Sequence, residues 1–381
     1  MSNPENNKKK ILFVVNDPGF FLSHRSDLAI AAFNKGYEVH VATANNDAVD
    51  TIHDLGLIYH EIPFTRSGID PLSELFLLYY LYRLYRKVRP DLVHHVTIKP
   101  VLYGSIVARM VSIPAVVNAI SGFGYVFSAS GVMPRLLRLP VKSLYKAALA
   151  HKRERVIVQN IHDYDVVKDS GWIDPDWIRL IRGSGVDLSA FKPANELPGD
   201  LKVVLASRML WDKGVGVFIE AAHTLLKQAV IARFILVGGP DFGNPNSITE
   251  EQLMEWGKES GIEWWGFRDD MEQVFNQASI VCLPTYYGEG VPKVLIEAAA
   301  SGKPVVTTEI PGCAEIIKHN VNGFLVPIKD AIALAKSIEL LINDKELRLK
   351  MGLNGRRIAE NEFSIESVIK QTMDIYEELL V

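Results

Sequence analysis

Cysteine, long apolar runs and an excess of either charge are all scarce in this 381-residue chain. The only two cysteines are Cys282 and Cys313. They form no close metal-ligand pair and no disulfide scaffold, which fits a reducing cytoplasm. Basic and acidic residues number 41 and 45, for a net charge of −4. That balance gives no overall attraction to nucleic acid, and no such partner is expected. The most apolar stretch, "LFLLYYLYRLYRKV" from Leu75, is interrupted at Arg83. It is too short to cross about 30 Å of hydrocarbon as a helix. The N-terminus, "MSNPENNKKK", is polar and runs straight into "ILFVV". A signal peptide needs a longer apolar core and a small-residue cleavage site. An integral membrane protein is therefore not expected, although contact with a membrane surface is compatible with the sequence.

What is present is an alternation of short β-rich runs with amphipathic stretches. "ILFVV" (11–15), "YEVHVAT", "LVHHV" and "AVVNAI" read as buried strands separated by helices. An amphipathic stretch runs through Lys35 and stops at Gly36, a C′ position. The pattern restarts near residue 200 with "LKVVLAS", "ARFILVGG", "SIVCLPT" and "KPVVTTE". Strands alternating with helices predict parallel, doubly wound α/β sheets, and two series predict two Rossmann-like domains facing across a cleft. The Gly-, Pro- and Ser-rich "RGSGVDLSAFKPANELPGD" marks the boundary. The domains expected are 1–185 and 186–362, with a final helix, 363–381, packing back on the first.

Two constellations carry chemistry. "GEGVPKVLIEAAASGKP" (288–304) places Glu289 at a loop tip and Glu297 inside a helix expected over about 292–301, with Pro292 in its first turn. Gly290 allows close backbone approach, and free amides at a helix start hold a diphosphate. Each carboxylate can accept two hydroxyl hydrogen bonds, so Glu289 could grip a sugar and Glu297 a ribose. By spacing alone, an exposed loop glutamate and an ordinary helix glutamate are an equally good reading. "SRMLWDKG" supplies Arg208 and Lys213 after the first strand of the second domain, where two cations could stabilise a departing diphosphate.

Arg208-x4-Lys213, Glu289-x7-Glu297, the loop "NDPGF" and the linker "GSGVDLSAFKP" resemble the retaining glycosyltransferases of family four, which have the GT-B fold. The resemblance spans about residues 10–375. "HHVTIKPVLYG", "NAISGFGYVFS", "SRMLWDKGV" and "VGGPDFGNP" are similar to bacterial enzymes that extend a sugar on undecaprenyl diphosphate, of the N-acetylgalactosaminyl transferase type. The resemblance implies an acceptor-binding first domain and a nucleotide-sugar-binding second domain. Arg208 and Lys213 would bind the nucleotide diphosphate, Glu297 the ribose, and Glu289 the donor sugar. The amides of Gly290, Val291 and Pro292 would lie near the diphosphate. Gly266, Phe267 and Arg268 would hold the base. Gly19 and Phe20 would approach the donor phosphates. Acceptor contacts would come from His24, His95, Thr97, Lys99, Ser121 and Gly122. The first loop has Pro18-Gly19-Phe20 where relatives often pair glycines, and Ser121-Gly122 where many carry a histidine.

The implied reaction moves an N-acetylhexosamine or galactose from a UDP-sugar to a lipid-diphosphate-linked saccharide, with retention and without a metal or other cofactor. Transfer from GDP-mannose, a soluble acceptor, or a UDP-sugar 2-epimerase of the same fold are the alternatives. Two Asp-x-Asp matches, "DYD" (163–165) and "DPD" (174–176), read as acidic first turns of helices and not as a metal turn. "GFGYVF" and "GVGVFI" lack the third glycine of a nicotinamide site and do not follow a first strand.

Residues 131–156 interleave seven cations (135, 138, 142, 146, 152, 153, 155) with apolar side chains, against one acid, Glu154. Such a stretch can lie on an anionic membrane, each cation contributing about 1 kcal/mol. It can equally be a solvated face packed on the first domain. The expected location is the inner face of the bacterial cytoplasmic membrane, as a peripheral protein.

Overall fold

The structure is a computed structural model, which describes residues 8–64, 71–122, 142–286 and 288–381. The chain divides into two compact units, Met1–Ser184 with Glu366–Val381, and Gly185–Ile365.

In the first unit seven parallel strands form one sheet: β1 (Lys10–Val15), β2 (Glu38–Thr43), β3 (Ile58–Glu61), β4 (Leu92–Val96), β5 (Ala115–Ile120), β6 (Glu154–Val158) and β7 (Ile178–Leu180). Their order is β3-β2-β1-β4-β5-β6-β7. β1, β4 and β5 are buried almost throughout because helices cover both faces of the sheet. The described residues of the second unit form a six-stranded sheet: β8 (Leu201–Ala206), β9 (Ala232–Val237), β10 (Ile262–Trp264), β11 (Ile280–Leu283), β12 (Val305–Thr308) and β13 (Gly323–Val326). Their order, β10-β9-β8-β11-β12-β13, is again parallel and doubly wound.

The stretch ending at Lys35 is two helices, Pro18–His24 and Ser26–Asn34, because Arg25 between them leaves the helical region at φ −136°. Gly36 follows with φ +98°, the left-handed stop that a side chain would resist. The last helix, Ile365–Leu380, buries Val368, Met373, Ile375, Tyr376 and Leu379 in the core of the first unit. Each unit reverses its strand order beside its first strand, between β1 and β4 and between β8 and β11. At such a point the following loops diverge and leave a crevice at the carboxyl ends of the strands.

Candidate active site

In the second unit the two loops at the reversal are tied together. The loop after β8 ends in a short 3-10 turn, Trp211–Lys213, and then Gly214 at φ +79°. A Cβ on Gly214 would lie 2.0 Å from the carbonyl oxygen of Pro284, so only glycine allows this approach to the loop after β11. The Tyr286 amide donates to the Asp212 carbonyl at 3.0 Å. Thr285 Oγ1 lies 3.1 Å from both that carbonyl and Glu289 Oε1. Held in this frame, Lys213 Nζ meets Glu289 Oε1 at 2.6 Å. Both side chains are largely buried, which strengthens the pair over a solvated one. Asp212 is half-buried, and burial raises its pKa against the pull of Lys213.

A pocket of about 760 Å³ lies over the ends of β8 and β9, and Arg208, Gly266, Phe267, Arg268 and Glu297 all line it. Arg208 is 60% exposed at its side chain and its guanidinium donates to Asp241 Oδ2 at 2.6 Å. Asn244 Nδ2 donates to the same oxygen at 3.1 Å. Arg268 is fixed by Asp270 at 2.6 Å. Phe267 and Phe242 stand 80% and 81% exposed at the pocket wall. Gly238, at φ +137°, packs so tightly on the Ser207 carbonyl that a Cβ would come within 1.8 Å.

Glu297 lies more than a turn into the helix Lys293–Ala300 and is only 9% exposed. Its nearest cation, Lys293 Nζ, is 3.6 Å away, too far for a strong hydrogen bond. Burial pushes its pKa up to about 7, with Lys293 opposing. A carboxyl poised there can accept hydroxyl hydrogen bonds once ionised. Pro292 stands at the N-cap and not inside the first turn (φ −62°, ψ 121°). It carries no N–H, so it can offer no amide to a ligand, and the helix-start donors must come from its neighbours.

Lys213, Glu289 and Gly290 to Pro292 do not line the pocket; they lie at the reversal itself. Arg208, in the same loop as Lys213, links the two groups. Sequence reasoning passed over Asp212, Asp241, Phe242, Trp264 and Thr285. Asp241 and Phe242 fall within "VGGPDFGNP", which carries part of the resemblance, but that motif assigned them no role.

In the first unit, Gly19, Phe20 and His24 share the helix after β1. Asp17 caps it by accepting from the Phe20 amide at 2.8 Å. The Phe20 ring stacks on His24 at 4.1 Å. Thr97, after β4, has φ +74°, a strained conformation for a β-branched residue. Its hydroxyl donates to Asn16 Oδ1 at 3.0 Å, joining the loops on either side of the β1–β4 reversal. Lys99 pairs with Glu74 at 2.7 Å just before a π-helical turn, Pro100–Gly104. Ser121 and Gly122 follow β5, and Ser121 Oγ is buried with no hydrogen-bond partner among the described residues.

His95 departs from expectation. It is fully buried on β4, with Nδ1 donating to Asn118 Oδ1 and Nε2 accepting from Tyr85 Oη, both at 2.8 Å. Burial lowers its pKa to about 3. A sealed, neutral imidazole cannot touch an acceptor, so His95 is a structural residue. His94 is equally buried and bonds Tyr376.

The two Asp-x-Asp matches lie at helix starts, Asp163 in the first turn after the cap Asn160 and Asp174 as a cap itself. Asn160 Nδ2 donates to Asp163 at 2.9 Å while the Asp163 amide donates to Asn160 Oδ1 at 2.8 Å. Asp174 accepts from the Asp176 amide at 3.0 Å. Residues 131–141 of the basic stretch lie outside the described residues, including Arg135 and Arg138. Residues Glu154–Val158 are strand and not amphipathic helix. Arg153 donates to the Leu379 carbonyl at 2.6 Å, and Arg155 pairs with Glu378. Those two cations hold the C-terminal helix and are not available to a membrane.

Comparison with known proteins agrees with this fold. Residues 10–160 match a family model described as glycosyl transferase 4-like, and residues 200–344 one described as glycosyl transferases group 1. The chain is 29% identical over 360 residues to the N,N'-diacetylbacillosaminyl-diphospho-undecaprenol alpha-1,3-N-acetylgalactosaminyltransferase of Campylobacter jejuni, covering 89% of this chain and 93% of that protein. It is 26% identical to the UDP-Gal:alpha-D-GlcNAc-diphosphoundecaprenol alpha-1,3-galactosyltransferase of Escherichia coli, covering 84% of each. Its fold superposes on HepE of Anabaena, solved with UDP and glucose, with a TM-score of 0.75 at 21% identity, over 97% of this chain and 99% of that one.

Proposed function

The chain belongs to the group 1, 4-like glycosyltransferases of GT-B fold, and from that premise we propose that it transfers an N-acetylhexosamine or galactose from UDP to a saccharide carried on a lipid diphosphate, with retention at the anomeric carbon and without a metal. It is a glycosyltransferase of surface-glycan assembly. The observation that carries the proposal is the Lys213–Glu289 pair at the β8–β11 reversal, beside a pocket that holds Arg208 and the buried Glu297.

The chemistry follows from charge. Cleaving the glycosidic bond of a nucleotide sugar leaves a diphosphate with an added negative charge. Lys213 and Arg208 stabilise that charge from fixed positions, and preorganised cations need little rearrangement as it develops. Glu289, tied by Lys213 and Thr285, is oriented toward donor-sugar hydroxyls, while Glu297 accepts from the ribose. The base lies against Phe267 and Gly266. The acceptor hydroxyl attacks from the face the diphosphate leaves, and a departing phosphate oxygen takes its proton. Of the first-unit residues, Gly19 and Phe20 approach the donor phosphates, and His24, Thr97, Lys99, Ser121 and Gly122 serve the acceptor. The placement of Asp163 in a first helical turn bonded to Asn160, and of Asp174 as a helix cap, favours cation stabilisation over a metal turn; unchanged rates in EDTA are expected, and abolished turnover would refute metal independence.

No helix among the described residues is long and apolar enough to cross a membrane, and a lipid-bound acceptor supports the reading of a peripheral protein at the inner membrane face. A panel of UDP- and GDP-sugars screened by thermal unfolding tests the donor: the cognate UDP-sugar at a hundredfold excess over its Kd raises stability by about 2.7 kcal/mol. A GDP-sugar that protects equally well would overturn the uridine assignment.

Asp241 makes a separate prediction. Its carboxylate holds Arg208 at the pocket edge. Asp241→Ala frees the guanidinium, and the KM for donor rises roughly tenfold, as for loss of one charge-assisted hydrogen bond, with a smaller change in kcat. Steady-state kinetics on the soluble variant checks the split.

A further inference from the structure

The helix Pro71–Val88 carries apolar side chains on two opposite faces. Leu77, Leu81, Tyr85 and Val88 are buried in the first unit. On the other face Leu72, Leu75, Phe76, Tyr79 and Tyr80 are between 48% and 66% exposed. Their spacing, i, i+3, i+4, i+7, i+8, makes a single stripe along the helix. The stripe runs on into Arg83, Arg86 and Lys87, all exposed. A helix that only closes a core turns polar groups outward, and a contiguous exposed apolar patch marks a contact surface.

We propose that this outer face seats the protein on the surface of an anionic lipid bilayer; the inference rests on the lipid-linked acceptor proposed above and names the surface that meets the membrane. The charges on the helix select that occupant. Its only acid, Glu74, is 8% exposed and is already paired with Lys99. The exposed face therefore offers cations and no carboxylate, which suits anionic headgroups and leaves nothing on this helix to pair with the cations of a second copy. Arg83 stacks over Tyr79 at 5.9 Å and Arg86 over Tyr82 at 5.8 Å. Tyrosine rings beside guanidinium groups are the side chains that rest at a membrane interface, with apolar rings inward and charges at headgroup level. An 18-residue helix is about 27 Å long, enough to lie in the headgroup plane with its stripe facing the acyl chains. The segment 131–156, in contrast, commits Arg153 and Arg155 to the C-terminal helix.

The test is sedimentation of the full chain with phosphatidylglycerol–phosphatidylcholine vesicles, without nucleotide sugar or acceptor, so that the result does not depend on catalysis. Leu75→Ser, Phe76→Ser and Tyr79→Ser together should lower retention about tenfold or more while leaving the thermal midpoint unchanged, because all three are exposed. Arg83→Gln, Arg86→Gln and Lys87→Gln together should abolish the preference over pure phosphatidylcholine vesicles. Ile231→Ser, at an exposed site of the second unit, should change neither. Equal retention of wild type and the Ser variant overturns the proposal. So does a lipid-free dimer that the Ser variant dissolves while vesicle retention stays intact, which would assign the stripe to a second copy. If no donor is ever turned over but the retention pattern holds, the surface stands and the glycosyltransferase reading falls.

Discussion

Lys213→Ala is expected to lower turnover by about a hundred- to a thousandfold, the range seen when one preorganised group is taken from a developing anion. Two losses combine. The cation proposed to meet the departing diphosphate disappears, and Glu289 loses the 2.6 Å contact that fixes it. The Lys213 effect should fall on kcat more than on KM, because charge builds up in the transition state and not in the bound donor. Lys213→Arg should recover only part of the rate. The frame made by Gly214, Pro284 and Thr285 is cut for a slender ammonium group, and a guanidinium brings a wider fork.

Stability separates this role from a structural one. Removing Lys213 strands a largely buried carboxylate, at a cost of about 1–3 kcal/mol. Adding Glu289→Gln removes the stranded charge and should restore much of that stability without restoring turnover. Thermal unfolding and single-turnover rates on the three variants check both halves. Near-normal turnover in Lys213→Ala would remove the residue from the machinery.

The central strands were legible because burial on both faces writes a nearly continuous apolar run, as in "ILFVV" and "AVVNAI". The edge strands β3, β7 and β10 were not, since three or four half-covered residues such as Ile58–Glu61 leave no run and no clean alternation. The spacings around Arg208, Lys213, Glu289 and Glu297 were readable because each falls in a short loop or helix start directly after a strand, so chain position fixes place. Asp241 and Phe242 escaped because their loop, after β9, reaches the pocket through Gly238 and the Arg208 contact, which only the folded sheet brings about. His95 escaped for the opposite reason. It lies two residues before Thr97 in sequence, but it is still inside β4, which is buried on both faces, and it bonds Tyr85 and Asn118. The helix Pro71–Val88 read equally as core or as surface, and the fold makes it both.

Glu297→Gln should make the free protein more stable at alkaline pH and a poorer binder of nucleotide at the same time. In the folded chain burial raises the Glu297 pKa from 4.5 to about 7. Between those values the folded state keeps a proton that the unfolded state has released, so stability falls as pH rises, by up to about 1.4 kcal/mol per pH unit. Above pH 7 the accumulated cost is about 3 kcal/mol, the free energy of holding an ionised carboxylate in that site. Glutamine cannot ionise and escapes the cost, so its advantage in thermal midpoint should grow between pH 5 and pH 8. Glu154, in the other unit, is also raised to about 7 by burial, but it titrates in both proteins and cancels in the difference. Binding reverses the balance. Ribose hydroxyls bond best to the ionised carboxylate, so UDP binding near neutral pH should expel a proton from wild type. Isothermal titration in buffers of differing ionisation enthalpy would show that proton, and Glu297→Gln should abolish it. Affinity should fall about ten- to a hundredfold with it, the worth of hydrogen bonds to a charged acceptor. A variant that binds UDP as tightly as wild type, with the same proton release, would take Glu297 out of the nucleotide site. Its buried carboxyl would then be a cost with no ligand to offset it.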